Sequence, residues 1–263
     1  MDDASASSVP RASPSPPPNV PSSDGSLLAS LIVTIVMALF ATTFLAQTFK
    51  IPSPSMVPAL LVGDHLLVDK FVFGAAGKWY DRLLPFRPIR RGDVIVFKYP
   101  YEEHPYYVKR VIAIPGDRLH IADQHVFVNG SLLKEPYAIH DPSSADPYMF
   151  DFPPRDPFVI SGEVTPEWGG TLRNATRDGE LVVPADQYFV LGDNRDHSSD
   201  SRYWGFVPRD AIVGEPMFVY WSLKSARPQP EPSSLAQQFG QFAKTLLDIP
   251  SRTRWNRFFH EVR

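Results

Sequence analysis

The sequence predicts a mainly β protein: an antiparallel β domain with an inserted loop or small β lobe, preceded by one transmembrane helix. Three observations carry that expectation. Apolar, β-branched runs recur through the middle of the chain, turn signals rich in Gly, Asp and Asn separate them, and one long uncharged stretch precedes them all.

In chain order, Met1 to Ser23 holds six prolines and seven serines with almost no large apolar side chain. Such a segment buries too little surface to offset the entropy of ordering, so residues 1–24 read as a disordered tail. Next comes GSLLASLIVTIVMALFATTFLAQTF, Gly25 to Phe49, 25 residues without one charge. About 20 apolar residues span a hydrocarbon core as a helix, and residues 25–48 are expected to do so. A cleaved secretory signal peptide is the competing reading. Against it stand the lack of a strongly basic leading region, a run longer than the usual ~7–15 residues, and no clean small-x-small site. Arg11 against Asp2, Asp3 and Asp24 on one side, with Lys50 on the other, leaves orientation undecided by charge.

Residues 49–222 read as the β domain. Its runs are HLLVDKFVF, DVIVFKY, YYVKRVIAI, HVFVNGSLL, QYFVLGD and AIVGEPMFVYW, punctuated at Arg91-Gly92-Asp93, Pro115-Gly116-Asp117 and Asn129-Gly130. Asn-Gly between two apolar runs predicts a hairpin. Between Ser131 and Glu180 the alternation loosens into Pro, Asp, Gly and aromatic residues, and residues 131–180 are expected to form the insertion. Residues 223–263 read as a Pro-rich linker and a basic, aromatic tail. There SLAQQFGQFAKTLLDI has near-helical apolar spacing, and PSRTRWNRFFHEVR mixes Arg with Trp and Phe. That tail suits a membrane surface, and it equally suits packing on the domain.

Composition narrows the chemistry. The 263-residue chain has a formal net charge of -3, without the basic footprint of a nucleic-acid binder. It has no cysteine, which excludes disulfides, thiolate metal sites and Cys nucleophiles.

Ser55, in SPSMVP, lies a few residues beyond the apolar stretch. A serine hydroxyl is a poor nucleophile until a base takes its proton. Seven histidines are candidates (His65, His104, His120, His125, His140, His197 and His260), but no serine sits in a Gly-x-Ser-x-Gly elbow. A Ser-His-Asp triad stays open, because triads are recognised by geometry. Lysine is the other candidate. In YYVKRVIAIPGD, period-2 alternation puts Tyr107, Lys109, Val111 and Ala113 on one strand face. A free lysine has pKa ~10.4 and is almost wholly charged at neutral pH; burial can lower that by up to ~3–5 units. The alternative is an ammonium that snorkels to solvent or pairs with a carboxylate.

The segment GDNRDHSSDSRYWGFVP crowds Asp193, Asn194, Arg195, Asp196, Ser198, Asp200 and Arg202 into a short loop. It fails as an EF-hand, since Arg195 falls at the third ligand place. A loop of Asp–Arg pairs that braces a site fits the composition better than a solvated turn.

Four segments, IPSPSMVPALLVGDHLLVDKF, RRGDVIVFKYP, YYVKRVIAIPGD and GDNRDHSSDSRYWGFVP, occur in an order and with lengths that resemble bacterial type I signal peptidases (leader peptidases), membrane-anchored Ser–Lys proteases. The resemblance covers roughly Phe49 to Pro208. It implies that Ser55 is the acylating nucleophile and Lys109 its general base. It implies an oxyanion hole from the Ser53 hydroxyl and the Ser55 N–H, Ser198 orienting the Lys109 amine, and Asp200 paired with Arg202 to hold the loop. Phe49, Ile51, Leu66 and Val108 would line shallow apolar pockets for small side chains such as Ala. Neither a metal nor an organic cofactor is implied. The implied partners are signal-peptide-bearing pre-proteins, the lipid bilayer and the nearby secretion machinery. The implied location is the bacterial inner (cytoplasmic) membrane, single-pass, with the catalytic domain on the periplasmic side.

The chain departs from some members at Pro54, where they carry Gly between the serines. His65 and His197 are expected to be bystanders. Two other readings remain: a Ser-His-Asp hydrolase, and a non-catalytic membrane-anchored β binding module.

Overall fold

The structure, a computed structural model, describes residues 23–40, 46–74, 86–101, 106–143, 146–155, 164–224 and 248–262. Residues 1–22 of the expected tail, His104, and the Pro-rich linker with most of SLAQQFGQFAKTLLDI lie outside the described residues. The chain forms two compact units, Met1–Ala41 and Thr42–Arg263.

The first unit contains helix α1 (Ser23–Phe40), whose Leu27, Leu31, Ile35 and Leu39 are all exposed. No described helix is long and apolar enough to cross a membrane. The helix expected over residues 25–48 differs at its far end, because Ala46–Lys50 is a strand. An uncharged apolar run suits a β ladder as well as lipid, and here five consecutive residues, Ala46 to Lys50, pair with Asp69 to His65.

The second unit is a mainly β antiparallel domain of two sheets. Its strands are β1 (Ala46–Lys50), β2 (Asp64–Asp69), β3 (Val94–Lys98), β4 (Tyr106–Ala113), β5 (Arg118–Ala122), β6 (His125–Val128), β7 (Ser131–Leu132), β8 (Asp151–Phe152), β9 (Thr176–Arg177), β10 (Glu180–Val182), β11 (Gln187–Leu191), β12 (Val207–Pro208), β13 (Ile212–Ser222) and β14 (His260–Glu261). The larger sheet runs β1-β2-β13-β3-β4-β11-β12, with β14 added to the far half of β13. The smaller runs β7-β6-β5-β10-β9, with β8 on β5. The expected lobe therefore starts earlier than Ser131: β5 and β6 belong to the second sheet. The Asn129-Gly130 turn joins β6 to β7 with both residues at positive φ, as that dipeptide favours. Three short helices, α2 (Pro147–Phe150), α3 (Pro166–Ala175) and α4 (Ser201–Trp204), pack beside the strands.

Strand β3 is buried on both faces. Its Ile95 and Phe97 enter the larger core, which includes Val111, Ala113, Val128, Leu181, Phe189 and Trp204. Val94 and Val96 enter a second core with Ile51, Met56, Leu60, Leu66, Val68 and Val219. Burying such a side chain contributes about 1.5–3 kcal/mol, so Ile51, Met56 and Leu60 root the loop after β1 in the sheet beneath it. At the C-terminus, Thr253 bridges to Leu223 and β14 pairs with β13, so the described part of the tail packs on the domain.

Candidate active site

Residues 51–63 connect β1 to β2 and carry Ser53 and Ser55. The ends of this loop are drawn together: Ile51 donates to the Asp64 carbonyl at 2.8 Å, and Gly63 donates to the Ile51 carbonyl at 2.9 Å. Ser53 is exposed, whereas Ser55 is buried.

Strand β4 supplies the other half of the site. Lys109 lies in the row with Tyr107, Val111 and Ala113 that alternation predicts, and it is 4% exposed. Its Nζ donates to Ser55 Oγ at 2.7 Å and stands 5.9 Å from the centre of the Tyr107 ring. Among the described ion pairs none includes Lys109, so the amine neither snorkels nor neutralises itself on a carboxylate. Burial lowers its pKa to about 8; Asp200 and Asp193 push upward and Arg202 pushes downward, without reversing the shift. Once the amine is neutral, the hydrogen bond can run the other way, from the Ser55 hydroxyl to the nitrogen lone pair.

The pair opens into a cleft of about 450 Å³ lined by Phe49, Ile51, Ser53, Val108 and, at the rim, Tyr106 and His197. Leu66, expected among the pocket residues, is absent from this lining. It alternates inward from β2, is fully buried, and belongs to the core under the loop. Ser53 Oγ lies 3.3 Å from Ser55 Oγ. At Pro54 the loop calls on the carbonyl, which accepts from the Val57 N–H at 3.0 Å and from Asn194 Nδ2 at 3.3 Å. No hydrogen bond here asks for the N–H that proline lacks.

The Asp193–Arg202 loop stands against this pair. Arg202 grips Asp200 through Nε and Nη2, both at 2.8 Å, and its Nη2 also donates to the Arg195 carbonyl at 2.6 Å. Burial alone would raise the Asp200 carboxyl; Arg202 outweighs it and holds the group below its ordinary pKa. Asp200 further accepts from the Gly192 N–H at 3.1 Å. The pairing expected of Asp200 and Arg202 is present in full.

Ser198 differs from expectation. Its hydroxyl is buried yet has no hydrogen-bond partner among the described residues, so the bond expected to Lys109 is not made. Lys109 is turned instead toward Ser55. No described histidine hydrogen-bonds Ser55. His197 faces Asp141, 3.4 Å away, and His65 packs near Tyr220 and Trp221. Among the described residues no group of three or more His, Asp or Glu is placed to hold a metal ion.

Several supporting contacts escaped sequence reasoning. Asn194 donates its backbone N–H to the Ser55 carbonyl at 3.1 Å. Arg110 forms a buried two-pronged pair with Asp193 at 2.8 and 2.7 Å, under the Tyr137 ring. Glu135, from the expected insertion, pairs with Arg195. Adjacent Asp and Arg in the loop signalled pairing as such; nothing in the sequence pointed to Glu135.

An antiparallel β domain that presses a buried serine against a buried amine suits a serine peptidase. The comparison with known families places the chain within that class: the family described as Signal peptidase, peptidase S26 matches residues 25–221. The chain is 35% identical to the signal peptidase I of Pseudomonas fluorescens over 78% of its own length and 74% of that protein. It is 35% identical to that of Aquifex aeolicus over 86% of its length and 95% of the relative, and 33% identical to that of Helicobacter pylori over 89% and 91%. The chain belongs to the signal peptidase I (peptidase S26) family, serine endopeptidases that cleave signal peptides.

Proposed function

We propose that Ser55 and Lys109 carry the peptide cleavage. Neutral Lys109 takes the Ser55 proton as Oγ attacks the scissile carbonyl, and the resulting ammonium passes it to the departing amine nitrogen. The acyl-enzyme ester then meets water, which gives its proton to Lys109 as it attacks, and that proton returns to Ser55 Oγ. The 2.7 Å contact between these groups, with no competing ion pair on the amine, carries this reading. The Ser53 hydroxyl, beside Ser55 Oγ, and the Ser55 N–H would stabilise the oxyanion, such donors being worth about 3–4 kcal/mol each. Ser198, whose buried oxygen has no hydrogen-bond partner among the described residues, would accept from the ammonium once it forms, and Asp200 with Arg202 would hold the loop in place.

The cleft lining of Phe49, Ile51 and Val108 suits small apolar side chains, so substrates are pre-proteins cut after an Ala-x-Ala type of sequence. The uncharged stretch from Gly25 suits a single-pass anchor in the cytoplasmic membrane, with the catalytic domain outside, near the secretion machinery. Processing of one Ala-x-Ala pre-protein in detergent by the unaltered chain, Ser55→Ala and Lys109→Ala tests the assignment. Both variants should be folded and inactive; activity in either removes the mechanism. An enzyme that survives Lys109→Ala and fails on losing a histidine would instead be a Ser-His-Asp hydrolase.

A further inference from the structure

Asp64, the first residue of β2, is fully buried at the closing end of the loop that carries Ser55. Its carboxylate is enclosed by the last described residues of the chain. Arg257 donates to it through Nε at 3.1 Å and Nη2 at 2.6 Å. Ser222 donates its hydroxyl to it at 2.6 Å, and Arg254 stands 4.0 Å away while donating to that same hydroxyl at 3.0 Å.

The two arginines also reach past Asp64 onto the loop itself. Arg257 Nη2 donates to the Ala59 carbonyl at 2.9 Å and Arg254 Nη1 to the Val62 carbonyl at 3.0 Å. Asp64 in turn accepts from the Leu61 N–H at 2.8 Å. Three backbone groups between residues 59 and 62 thus end on one buried cluster. On its other flank the same loop is held at Pro54 and Ser55 by Asn194.

The geometry points to Arg257, assisted by Arg254, as a positioning residue for the nucleophile: the C-terminal segment sets where Ser55 sits against Lys109. This rests on the assignment of Ser55 and Lys109 to catalysis. A surface ion pair would carry no such weight. A buried guanidinium bonded at once to a carboxylate and a loop carbonyl fixes the loop in direction as well as in distance. A hydroxyl and its base must meet within hydrogen-bond reach, and misplacement by ~1 Å costs about a hundredfold in rate.

The test measures kcat and KM for a pre-protein, per folded molecule, well below the melting temperature of each variant. Arg257→Gln should lower kcat by about tenfold to a hundredfold with KM within about twofold, because the cleft is untouched. Arg257→Lys should recover part of the loss, since an ammonium reaches Asp64 or the Ala59 carbonyl but not both. Should Arg257→Gln fail to fold around the bared carboxylate, the Asp64→Asn, Arg257→Gln double variant removes that charge and is read in the same way. Unchanged kcat in a folded variant that has lost only stability overturns the inference. Ser55→Ala, run alongside, separates the two failures. If it is inactive while Arg257→Gln turns over normally, only the positioning role falls; if it is active, the assignment of the nucleophile falls.

Discussion

Asn194 donates its backbone N–H to the carbonyl of Ser55 at 3.1 Å and its side chain to the carbonyl of Pro54 at 3.3 Å. The loop that presents the hydroxyl and the loop that surrounds the amine are therefore one hydrogen-bonded piece. Asn194→Ala removes the side-chain half of that link. It should lower kcat several-fold with little change in KM, as measured by steady-state processing of a pre-protein.

The pH dependence follows from the lowered lysine pKa. With that value at about 8, roughly one amine in ten is neutral at pH 7. The rate kcat/KM should rise about tenfold per pH unit up to about pH 8 and then level off. A rising limb centred near ~6.5 would assign the base to histidine. Lys109→Arg should be inactive at every pH, because guanidinium keeps its proton.

The same shift has a stability consequence. The folded-state pKa lies below the unfolded value of 10.5, so folding disfavours the charged amine. The penalty is complete below about pH 8, declines between about 8 and 10.5, and is absent above 10.5, where both states are neutral. It amounts to roughly 3 kcal/mol. Lys109→Met should melt higher than the unaltered protein at pH 7, and the advantage should shrink as pH approaches 10.5 in thermal scans.

Arg202 and Asp200 act on that amine in opposite senses, Arg202 lowering its pKa and Asp200 raising it. Arg202→Gln would leave Asp200 uncompensated. The rising limb of the pH profile should move to higher pH, and denaturant melts should show a loss of about 3–5 kcal/mol, as expected for a broken buried pair.

Gly192 sits where two loops touch. A Cβ there would lie 2.2 Å from Ser198 Oγ and 2.5 Å from the Ser55 carbonyl oxygen. The second of these is backbone and cannot swing aside. Gly192→Ala should push the Ser55 loop off Lys109 and lower kcat by about a hundredfold, again with KM nearly unchanged.

The parts legible in the sequence were those set by local pattern. Alternation in YYVKRVIAI put Lys109 in one row with Tyr107, Val111 and Ala113, and Asn129-Gly130 marked its hairpin, because strand period and turn chemistry act over a few residues. Where partners are distant the letters were mute. Ala46 to Phe49 continue an apolar run, yet strand pairing with β2 takes them. Leu66 and Phe49 are register partners and so share a sheet face, yet Phe49, on the edge strand, lines the cleft while Leu66, one strand further in, fills the core. The grip of Glu135 on Arg195 and of Arg257 on Asp64 spans 60 and 193 residues, beyond the reach of any periodicity.

Strand order gives the molecule a timetable. Ser55 belongs to the β1–β2 hairpin and Lys109 to the β3–β4 hairpin, and the strand that joins those hairpins into one sheet is β13. The ribosome makes β13 long after all four. Until β13 is made, the ladder between the hairpin that carries Ser55 and the hairpin that carries Lys109 is missing its middle strand. The sheet that seats both side chains thus closes only when one of its last strands is in hand.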